Sequence, residues 1–294
     1  MESQKKISVI LPSKNEAANL IKFLPQLRSL YPKAEIIVIN DGSSDNTIEI
    51  CNKQHVSVIS HPYSMGNGAA IKSGVRAAKG EVLVFMDGDG QHQPKDISAL
   101  LEKLDDGYDM VVGARSAKSQ ASLGRLAANT LYNRLASWMT GHKVQDLTSG
   151  FRAVRADKFK EFLHLLPNGF SYPTTSTMAF FRAGYAVSYI PIVTLAREGK
   201  SHISITKDGV RFLLIIFKVG TLYSPLKLFI PISVLHALLG ISYYAYTFIT
   251  LGRFTNMSAL LLSSAVIIFL IGLISEQITT LIYKGANTTS DRKP

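Results

Sequence analysis

The sequence predicts an α/β protein with a mostly parallel, doubly wound sheet, followed by two helices that cross a membrane. Short apolar runs alternate with segments of helical spacing from residue 7 to residue 204. Acidic and amide residues directly follow several of these runs, while residues 210–283 are dominated by long apolar stretches. The chain therefore divides into a globular part and an apolar part.

The predicted strands are apolar runs without alternation, which is typical of strands buried on both faces of a sheet. They cover residues 7–11, 35–39, 56–59, 82–86, 110–114 and 187–190, with a further short strand after residue 150. Helical spacing predicts helices over residues 17–30, 66–80, 124–139 and 174–183, the first of them interrupted or bent at Pro25, and a further helix that begins after Thr47. Strands that alternate with helices through short links imply parallel pairing.

Composition limits the partners and the compartment. The single Cys51 excludes an internal disulfide and fits a reducing compartment. The net charge of +11 indicates anionic partners, namely nucleic acid, anionic lipid or phosphorylated substrates. We do not expect nucleic acid, because no dense basic run interleaved with aromatic residues occurs in the globular part. The first residues lack the apolar core of a signal peptide, which predicts that this part stays on the cytoplasmic side.

The stretch Asp87-Gly88-Asp89-Gly90-Gln91 directly follows the strand predicted over residues 82–86. Asp87, Asp89 and Gln91 are spaced by two, so their oxygen atoms can converge on one point. Oxygen ligands of this kind suit Mg²⁺ or Mn²⁺. The alternative is a purely conformational turn, since Asp and Gly dominate turns. The position at the end of a buried strand, where open α/β sheets bind ligands, favours the metal.

Polar residues follow other strands in the same way. Asn15 and Glu16 come after the first strand, and Asp41 comes after the second. The carboxyl ends of parallel strands share one edge, so these residues are expected to line a single crevice with Asp87. Gly66-Asn67-Gly68 is similar to a phosphate-binding turn, although a simple glycine-rich helix start explains it equally well.

Cations and hydroxyls mark a second set of candidates. Arg115 ends the fifth strand, residues 116–122 read as a mobile loop, and Arg125 lies on the helix that follows. A compact polar turn begins at Asp146. Residues 197–202 gather two cations and a hydroxyl around a glycine, which suits an anion or, alternatively, a solvated basic turn.

The apolar part predicts two membrane spans, over residues 228–251 and 259–283, each longer than the roughly 20 residues a bilayer needs. The alternative, a buried helical hairpin of a soluble protein, fails because nothing else in the chain could cover it. Lysines and arginines flank the outer ends of the spans, whereas only Arg253 lies in the link, so both ends are expected on the cytoplasmic side. Residues 205–227 predict an amphipathic helix at the headgroups, and 284–294 a cytoplasmic tail.

Four motifs in order resemble those of the family 2 glycosyltransferases, in particular the dolichyl-phosphate mannose synthase-like branch that acts on polyprenyl phosphates. They are the segments 12–16 (PSKNE), 40–45 (NDGSSD), 87–92 (DGDGQH) and 146–152 (DLTSGFR). The resemblance covers about residues 7–204, and the two-helix tail is similar to bacterial members. It implies a GT-A fold, a nucleotide-sugar donor (GDP- or UDP-hexose), Mg²⁺ or Mn²⁺, and a polyprenyl phosphate acceptor.

The resemblance also implies roles for single residues. Those implied to bind the donor are Pro12, Asn15, Glu16, Asp41, Gly66, Asp87 and Asp89. The metal is implied at Asp87, Asp89 and Gln91. Phosphates of the acceptor or donor are implied to contact Arg115, Arg125, Ser149, Arg197, Lys200 and Ser201. The sequence departs from the family at Lys14, where many relatives have an aromatic residue, and at Gly90 and Gln93. The first departure leaves the base of the donor open.

The implied reaction is an inverting hexose transfer in which a lipid phosphate attacks the anomeric carbon. Asp89, Arg115 and Asp146 are its candidate catalytic residues. A phosphate dianion needs no general base, since the second pKa of such a group is about 6. Asp146 is the candidate if a base exists, and a turn-capping role is the alternative.

Three other functions are weighed against this one. They are a family 2 enzyme with a glycan hydroxyl acceptor, a non-catalytic nucleotide-binding membrane adaptor, and a nucleotidyltransferase. The first usually has a QxxRW-like motif and the last a basic signature in the first loop, and we find neither in the sequence. A complete set of metal ligands argues against the adaptor. The oligomeric state stays open, with a homo-oligomer among the alternatives.

Overall fold

The computed structural model describes residues 5–115, 123–169, 171–194, 217–218 and 220–290, with the side chains of 123–128 and 284–290 left out. Contacts divide the chain into two compact units, Met1–Ile203 and Ser204–Pro294. The predicted loop at 116–122 and most of the predicted amphipathic segment at 205–227 lie outside the described residues.

The first unit alternates strands and helices along the chain. Its strands are β1 (Ile7–Ser13), β2 (Glu35–Asn40), β3 (Ser57–Ser60), β4 (Val82–Phe85), β5 (Met110–Arg115), β6 (Arg152–Arg155) and β7 (Val187–Ile192). Its α-helices are α1 (Ala17–Leu30), α2 (Thr47–Lys53), α3 (Asn67–Ala77), α4 (Ile97–Asp105), α5 (Leu123–Thr140), α6 (Ala156–Glu161) and α7 (Tyr172–Arg182). The helix α1 continues through Pro25 rather than ending there.

The seven strands form one sheet in the order β3-β2-β1-β4-β6-β5-β7. All neighbours pair in parallel except β6, which runs antiparallel to both β4 and β5. The sheet is buried on both faces: Val9 and Val84 on one face and their neighbours Ile10 and Phe85 on the other are fully inaccessible. The parallel pairing and the buried faces confirm the predicted α/β, mostly parallel fold. Strands in a sheet that is covered on both faces are continuous apolar runs and do not alternate with polar residues.

The antiparallel direction of β6 was not predicted from the sequence, and it decides where the site lies. A parallel strand presents its carboxyl end at the ligand-binding edge, whereas an antiparallel neighbour presents its amino end there. Arg152 at the start of β6 is paired with Phe85 at the end of β4. The turn at residues 146–151 therefore reaches the same edge as Asp87.

The second unit contains the helices α8 (Pro225–Leu251) and α9 (Asn256–Ser290). They pack closely: a Cβ added at Gly240 would meet Leu262 at 2.9 Å, and one at Gly272 would meet Phe229 at 2.6 Å. The Ser233 hydroxyl donates to the carbonyl oxygen of Ala265 at 2.8 Å. Both helices are long and apolar enough to cross a membrane by length and composition. They form the predicted hairpin.

Candidate active site

The turns after β1 and β2 are joined by polar contacts. Asn15 adopts the left-handed conformation, with φ of 57°, that asparagine tolerates better than most residues. Its N–H donates to the Ser43 hydroxyl at 2.9 Å, and its side-chain oxygen accepts the N–H of Ser44 at 2.8 Å. The Asp45 carboxylate accepts the N–H of Ala17 at 3.0 Å. Asn15 therefore fixes the two turns as one wall of the crevice.

The predicted donor-binding residues Pro12 and Glu16 lie on the same edge. The Pro12 carbonyl accepts the N–H of Gly88 at 3.3 Å, and a Cβ at Gly88 would collide with the Ser13 hydroxyl. The Glu16 carboxylate accepts the side-chain amide of Asn19 at 2.6 Å. The close approach at Gly88 brings the metal-site candidates directly against the end of β1.

Asp41 holds a loop rather than facing open solvent. Its two carboxylate oxygens accept four hydrogen bonds, from His61 (2.8 Å), Ser64 (2.8 Å) and the N–H groups of Met65 (2.7 Å) and Gly66 (2.9 Å). Burial works to raise the pKa of Asp41, but these hydrogen bonds together lower it. A carboxylate has about four acceptor positions, so those of Asp41 are occupied by the chain itself. Its predicted contact with the nucleoside stays a prediction.

The turn at Gly66 is not arranged as a phosphate cradle. The N–H of Gly66 donates to Asp41, and those of Gly68 and Ala69 donate to the carbonyls of Gly169 (3.1 Å) and Asn168 (2.9 Å). These three N–H groups are thus used within the chain. The glycines allow close packing of α3 on residues 167–169. The donor-binding role of Gly66 stays a prediction.

We expect Gly68→Ala to destabilise the fold, since its Cβ would overlap the carbonyl oxygen of Pro167. Overpacking of this kind costs about 1–3 kcal/mol. The melting temperature is then expected to fall by roughly 2–4 °C for each kcal/mol, measured by thermal denaturation. Gly169→Ala is the control, because no heavy atom lies within 4 Å of its added Cβ and it is expected to melt like the wild type. Equal melting temperatures for both variants would contradict the packing role.

The structure places Asp87, Asp89 and Gln91 in one tight turn at the end of β4. The N–H of Gln91 donates to a carboxylate oxygen of Asp89 at 3.1 Å, and Gly90 takes a left-handed conformation with φ of 73°. The side chain of Asp87 is 34% exposed, and a Cβ at Gly150 would lie 2.9 Å from its carboxylate. The turn thus presents one reachable carboxylate against the 146–151 segment.

His92 follows the acidic turn and packs against the 146–151 segment. Its ring stacks on Phe151 with centroids 4.9 Å apart, and its Nε2 lies 4.0 Å from an Asp87 oxygen. Burial lowers its pKa to about 4, an effect that outweighs the opposing charge of Asp89, so the ring is neutral at pH 7. The contact with Asp87 is therefore not an ion pair. Its Nδ1 is buried without a hydrogen-bond partner among the described residues.

Arg115 and Asp146 form a two-pronged ion pair at the end of β5. The Arg115 Nε and Nη2 donate to the two Asp146 oxygens at 2.8 and 3.0 Å, and Nη2 also donates to the Thr148 hydroxyl at 2.6 Å. The Asp146 side chain is 6% exposed and that of Arg115 30% exposed. Such a bidentate geometry fixes the guanidinium in one orientation.

This pairing makes Asp146 a poor general base. Burial works to raise its pKa, but the hydrogen bonds and charge of Arg115 lower it below the ordinary range. A carboxylate with a lowered pKa binds a proton weakly near neutral pH. The stability it contributes is present above its unfolded pKa of about 3.9 and is lost as the pH falls through the folded value. The structure therefore favours the turn-capping role over the predicted base.

Ser149 is buried against β5. It is 1% exposed and its hydroxyl donates to the Gly113 carbonyl at 2.6 Å. It joins β5 to the 146–151 turn. The hydroxyl is therefore used by the fold, and a phosphate-binding role of Ser149 stays a prediction.

The structure adds Arg152, which the sequence presents only as the end of a motif. Its guanidinium is fully buried and donates to the Ser149 carbonyl, to the Pro173 carbonyl at 3.0 Å and to the hydroxyls of Ser176 (2.8 Å) and Thr177 (3.0 Å). It therefore joins the 146–151 turn to the start of α7. A single basic residue in a short strand gives no sequence signal for such burial.

The side chains of the remaining phosphate-site candidates are not among those that the structure describes. Arg125 lies on α5 in the part whose side chains are left out, and Arg197, Lys200 and Ser201 lie outside the described residues. Their predicted contacts stay predictions. At this edge of the sheet the structure brings together the carboxylates of Asp87 and Asp89, the turns after β1 and β2, and Arg115.

A parallel sheet with this carboxyl edge is typical of proteins that bind nucleotides and phosphates. Residues 8–163 match the model of Glycosyl transferase family 2, and residues 224–281 match that of the GtrB C-terminal hairpin. The chain belongs to glycosyl transferase family 2, as its motifs predicted.

Two curated relatives carry the comparison further. The polyprenol monophosphomannose synthase of Mycolicibacterium smegmatis is 28% identical over 205 residues, covering 65% of this chain and 77% of the relative. The undecaprenyl-phosphate mannosyltransferase of Micrococcus luteus is 29% identical over 218 residues, covering 68% and 88%. Relatives of this kind transfer a sugar to a polyprenyl phosphate.

A solved structure supports the fold. Glucosyl-3-phosphoglycerate synthase from Mycobacterium tuberculosis, in complex with Mn²⁺ and UDP-glucose, superposes with a TM-score of 0.61 at 21% identity. The match covers 74% of this chain and 79% of the other. At this identity the likeness shows the GT-A-like fold alone.

Proposed function

We propose that the protein transfers a hexose from a nucleoside-diphosphate sugar to a polyprenyl phosphate, with inversion at the anomeric carbon. The observation that carries this proposal is the combination of a family 2 domain with a GtrB-type hairpin in one chain. A lipid acceptor requires that the enzyme stay at a membrane, and the two apolar helices fit that need. The relatives that act on polyprenyl phosphates support the same acceptor.

The donor is proposed to lie along the carboxyl edge of β1, β2 and β4. Pro12, Asn15 and Glu16 form its β1 side, and Asp87 and Asp89 lie beside β4. The base is proposed to be guanine or uracil. The choice between GDP- and UDP-hexose is left to the experiment below.

A divalent ion, Mg²⁺ or Mn²⁺, is proposed at Asp87 and Asp89, with Gln91 beside them. Among the described residues no group of three or more His, Cys, Asp or Glu side chains is arranged as a metal site. Two carboxylates nevertheless fit an ion that takes its other ligands from water and substrate phosphates. When bound, the ion neutralises charge on the departing diphosphate. The chain contributes the orientation of the carboxylates, fixed through Gly88 and Gly150.

The acceptor phosphate is proposed to be oriented by Arg115, with Arg125, Arg197, Lys200 and Ser201 as further contacts. Asp146 holds the Arg115 guanidinium and its N–H. Because the attacking oxygen already carries negative charge, no side chain must remove a proton. Positioning is then the main contribution of the arginine.

This version of the reaction predicts a particular pH profile. Transfer is expected to increase through about pH 6, the approximate second pKa of a phosphate monoester, and to level off above it. The transfer rate rises with pH because the phosphate dianion, which forms above this pKa, is the nucleophile. Asp146→Asn is expected to lower the rate without moving this inflection, measured as kcat against pH at saturating donor. An inflection that disappears in Asp146→Asn would instead assign the proton transfer to that carboxylate.

The chain is proposed to consist of a catalytic domain over residues 1–204 and an interfacial segment over residues 205–227. The spans are proposed at 228–251 and 259–283, with a tail at 284–294. Lys218 and Lys227 precede the first span and Arg253 alone lies in the link, which supports a multi-pass protein of the cytoplasmic membrane with the catalytic domain on the cytoplasmic side.

The test is to incubate membranes containing the protein with radiolabelled nucleotide sugars and to extract the lipid fraction. Label in a phosphate-linked lipid is expected with one donor of the panel, and only with added Mg²⁺ or Mn²⁺. Membranes without the protein serve as the control. Label that enters only a water-soluble glycan would favour the hydroxyl-acceptor alternative, and no label with any donor would contradict the proposal.

A further inference from the structure

We propose that Tyr63 is the stacking surface for the nucleobase of the donor, with Met65 beside it. This inference rests on the proposed function and adds a residue that binds the base. Both residues lie in the loop of residues 61–66, which links the end of β3 to the start of α3. The loop therefore lies at the carboxyl edge of the sheet.

The strand order places this loop at the correct distance from the two carboxylates. Along the edge, β4 is followed by β1, β2 and β3. Neighbouring strands lie about 4.8 Å apart, so the ends of β2 and β3 are about 10–14 Å from the end of β4. A diphosphate beside Asp87 and Asp89 thus directs its nucleoside past Asn15 toward the loop of residues 61–66.

The loop is held rigidly against the turn after β2. A Cβ added at Gly42 would lie 2.7 Å from the Ser64 nitrogen and 3.1 Å from the Tyr63 Cα, so only glycine allows this approach. Asp41, at the end of β2, also accepts hydrogen bonds from the Ser64 hydroxyl and the Met65 N–H. The His61 ring lies between Asp41 and Ser73, at 2.8 and 2.9 Å. The loop backbone is thus fixed before any ligand arrives.

On this rigid backbone two apolar side chains remain in solvent. Tyr63 is 66% exposed and Met65 is 39% exposed, although the neighbouring turns are polar. Isolated apolar residues on a surface are ordinary, but two on one fixed loop beside a nucleotide crevice form a small platform. A flat aromatic ring is the kind of surface on which a base stacks.

The test measures binding of UDP, GDP and pyrophosphate to the full-length protein in detergent, with Mn²⁺ present, by calorimetry. Pyrophosphate has no base, so it reports the metal and phosphate contacts alone. Tyr63→Ala is expected to weaken the preferred nucleotide by about tenfold, the scale of one lost stacking contact, and to change pyrophosphate binding less than twofold. Tyr63→Phe keeps the ring and is expected to bind like the wild type.

Trp138→Ala is the matched control, because Trp138 is an aromatic residue that is 48% exposed on α5, the helix after β5, and β5 lies five positions from β3 in the strand order. It is expected to leave all three affinities unchanged. The inference is overturned if Tyr63→Ala binds the nucleotide normally, or if it loses nucleotide and pyrophosphate in equal proportion. Failure of the proposed function gives a different result in the same titrations. In that case the wild-type protein would bind neither UDP nor GDP more tightly than pyrophosphate.

Discussion

Asp89→Asn is expected to lower kcat/KM for hexose transfer by about a hundred- to a thousandfold, the usual loss when a group that stabilises developing charge is removed. The carboxylate lies in the turn after β4, where it accepts the N–H of Gln91 at 3.1 Å. The amide keeps the size of the side chain and removes its charge, so the fold is expected to persist. Transfer assays with purified protein and a range of Mn²⁺ concentrations measure the effect.

The same variant is expected to bind Mn²⁺ more weakly in a titration without substrate, which separates metal binding from chemistry. Asp106→Asn is the control, since that carboxylate pairs with Lys103 at 3.0 Å on the protein surface. It is expected to behave like the wild type in both measurements. Full metal-dependent transfer by Asp89→Asn would remove this residue from the reaction.

Arg115→Met is expected to have the second large effect, on stability and activity together. Removing the guanidinium leaves Asp146 buried without its ionic partner, which costs about 3–5 kcal/mol in buried pairs. Arg115→Lys keeps the positive charge but not the two-pronged geometry. We expect it to retain most of the stability and to lose about ten- to a hundredfold in kcat/KM for the acceptor, as for a lost charged hydrogen bond.

Arg155→Met is the matched control for this pair. Arg155 ends β6 at the opposite edge of the sheet, 3.5 Å from Asp109, a carboxylate that Lys158 also contacts at 2.6 Å. Its removal leaves Asp109 with an ionic partner, so both stability and transfer are expected to change little. Urea unfolding and acceptor kinetics on the three variants measure the difference. An Arg115→Lys enzyme with unchanged acceptor kinetics would exclude a phosphate contact at this residue.

Local pattern was enough to predict the strands and the position of the two carboxylates. Strands buried on both faces are continuous apolar runs, and β4 with its following Asp87 and Asp89 is the clearest example. The apolar helices α8 and α9 are equally visible, because a membrane span requires about 20 apolar residues in sequence. These features depend on neighbours along the chain.

The sequence did not predict the hydrogen-bond partners of several candidate site residues. Gly66 and Ser149 both occur in motifs that suggest phosphate binding, but their polar groups bond to Asp41 and Gly113. The Asp146 carboxylate is paired with Arg115, which lies 31 residues earlier in the chain. A motif shows which groups are available and not which of them the fold itself uses.

The sequence by itself determined the α/β class, the apolar helical hairpin, the family and the acidic turn at Asp87. Each follows from apolar periodicity, length or a contiguous motif. Only the tertiary structure decided that β6 runs antiparallel, that Arg152 is buried beneath the 146–151 turn, and that the loop bearing Tyr63 is fixed by Asp41. These depend on side chains far apart in the chain, whose pairing is set by close packing and by the need of buried polar groups for partners.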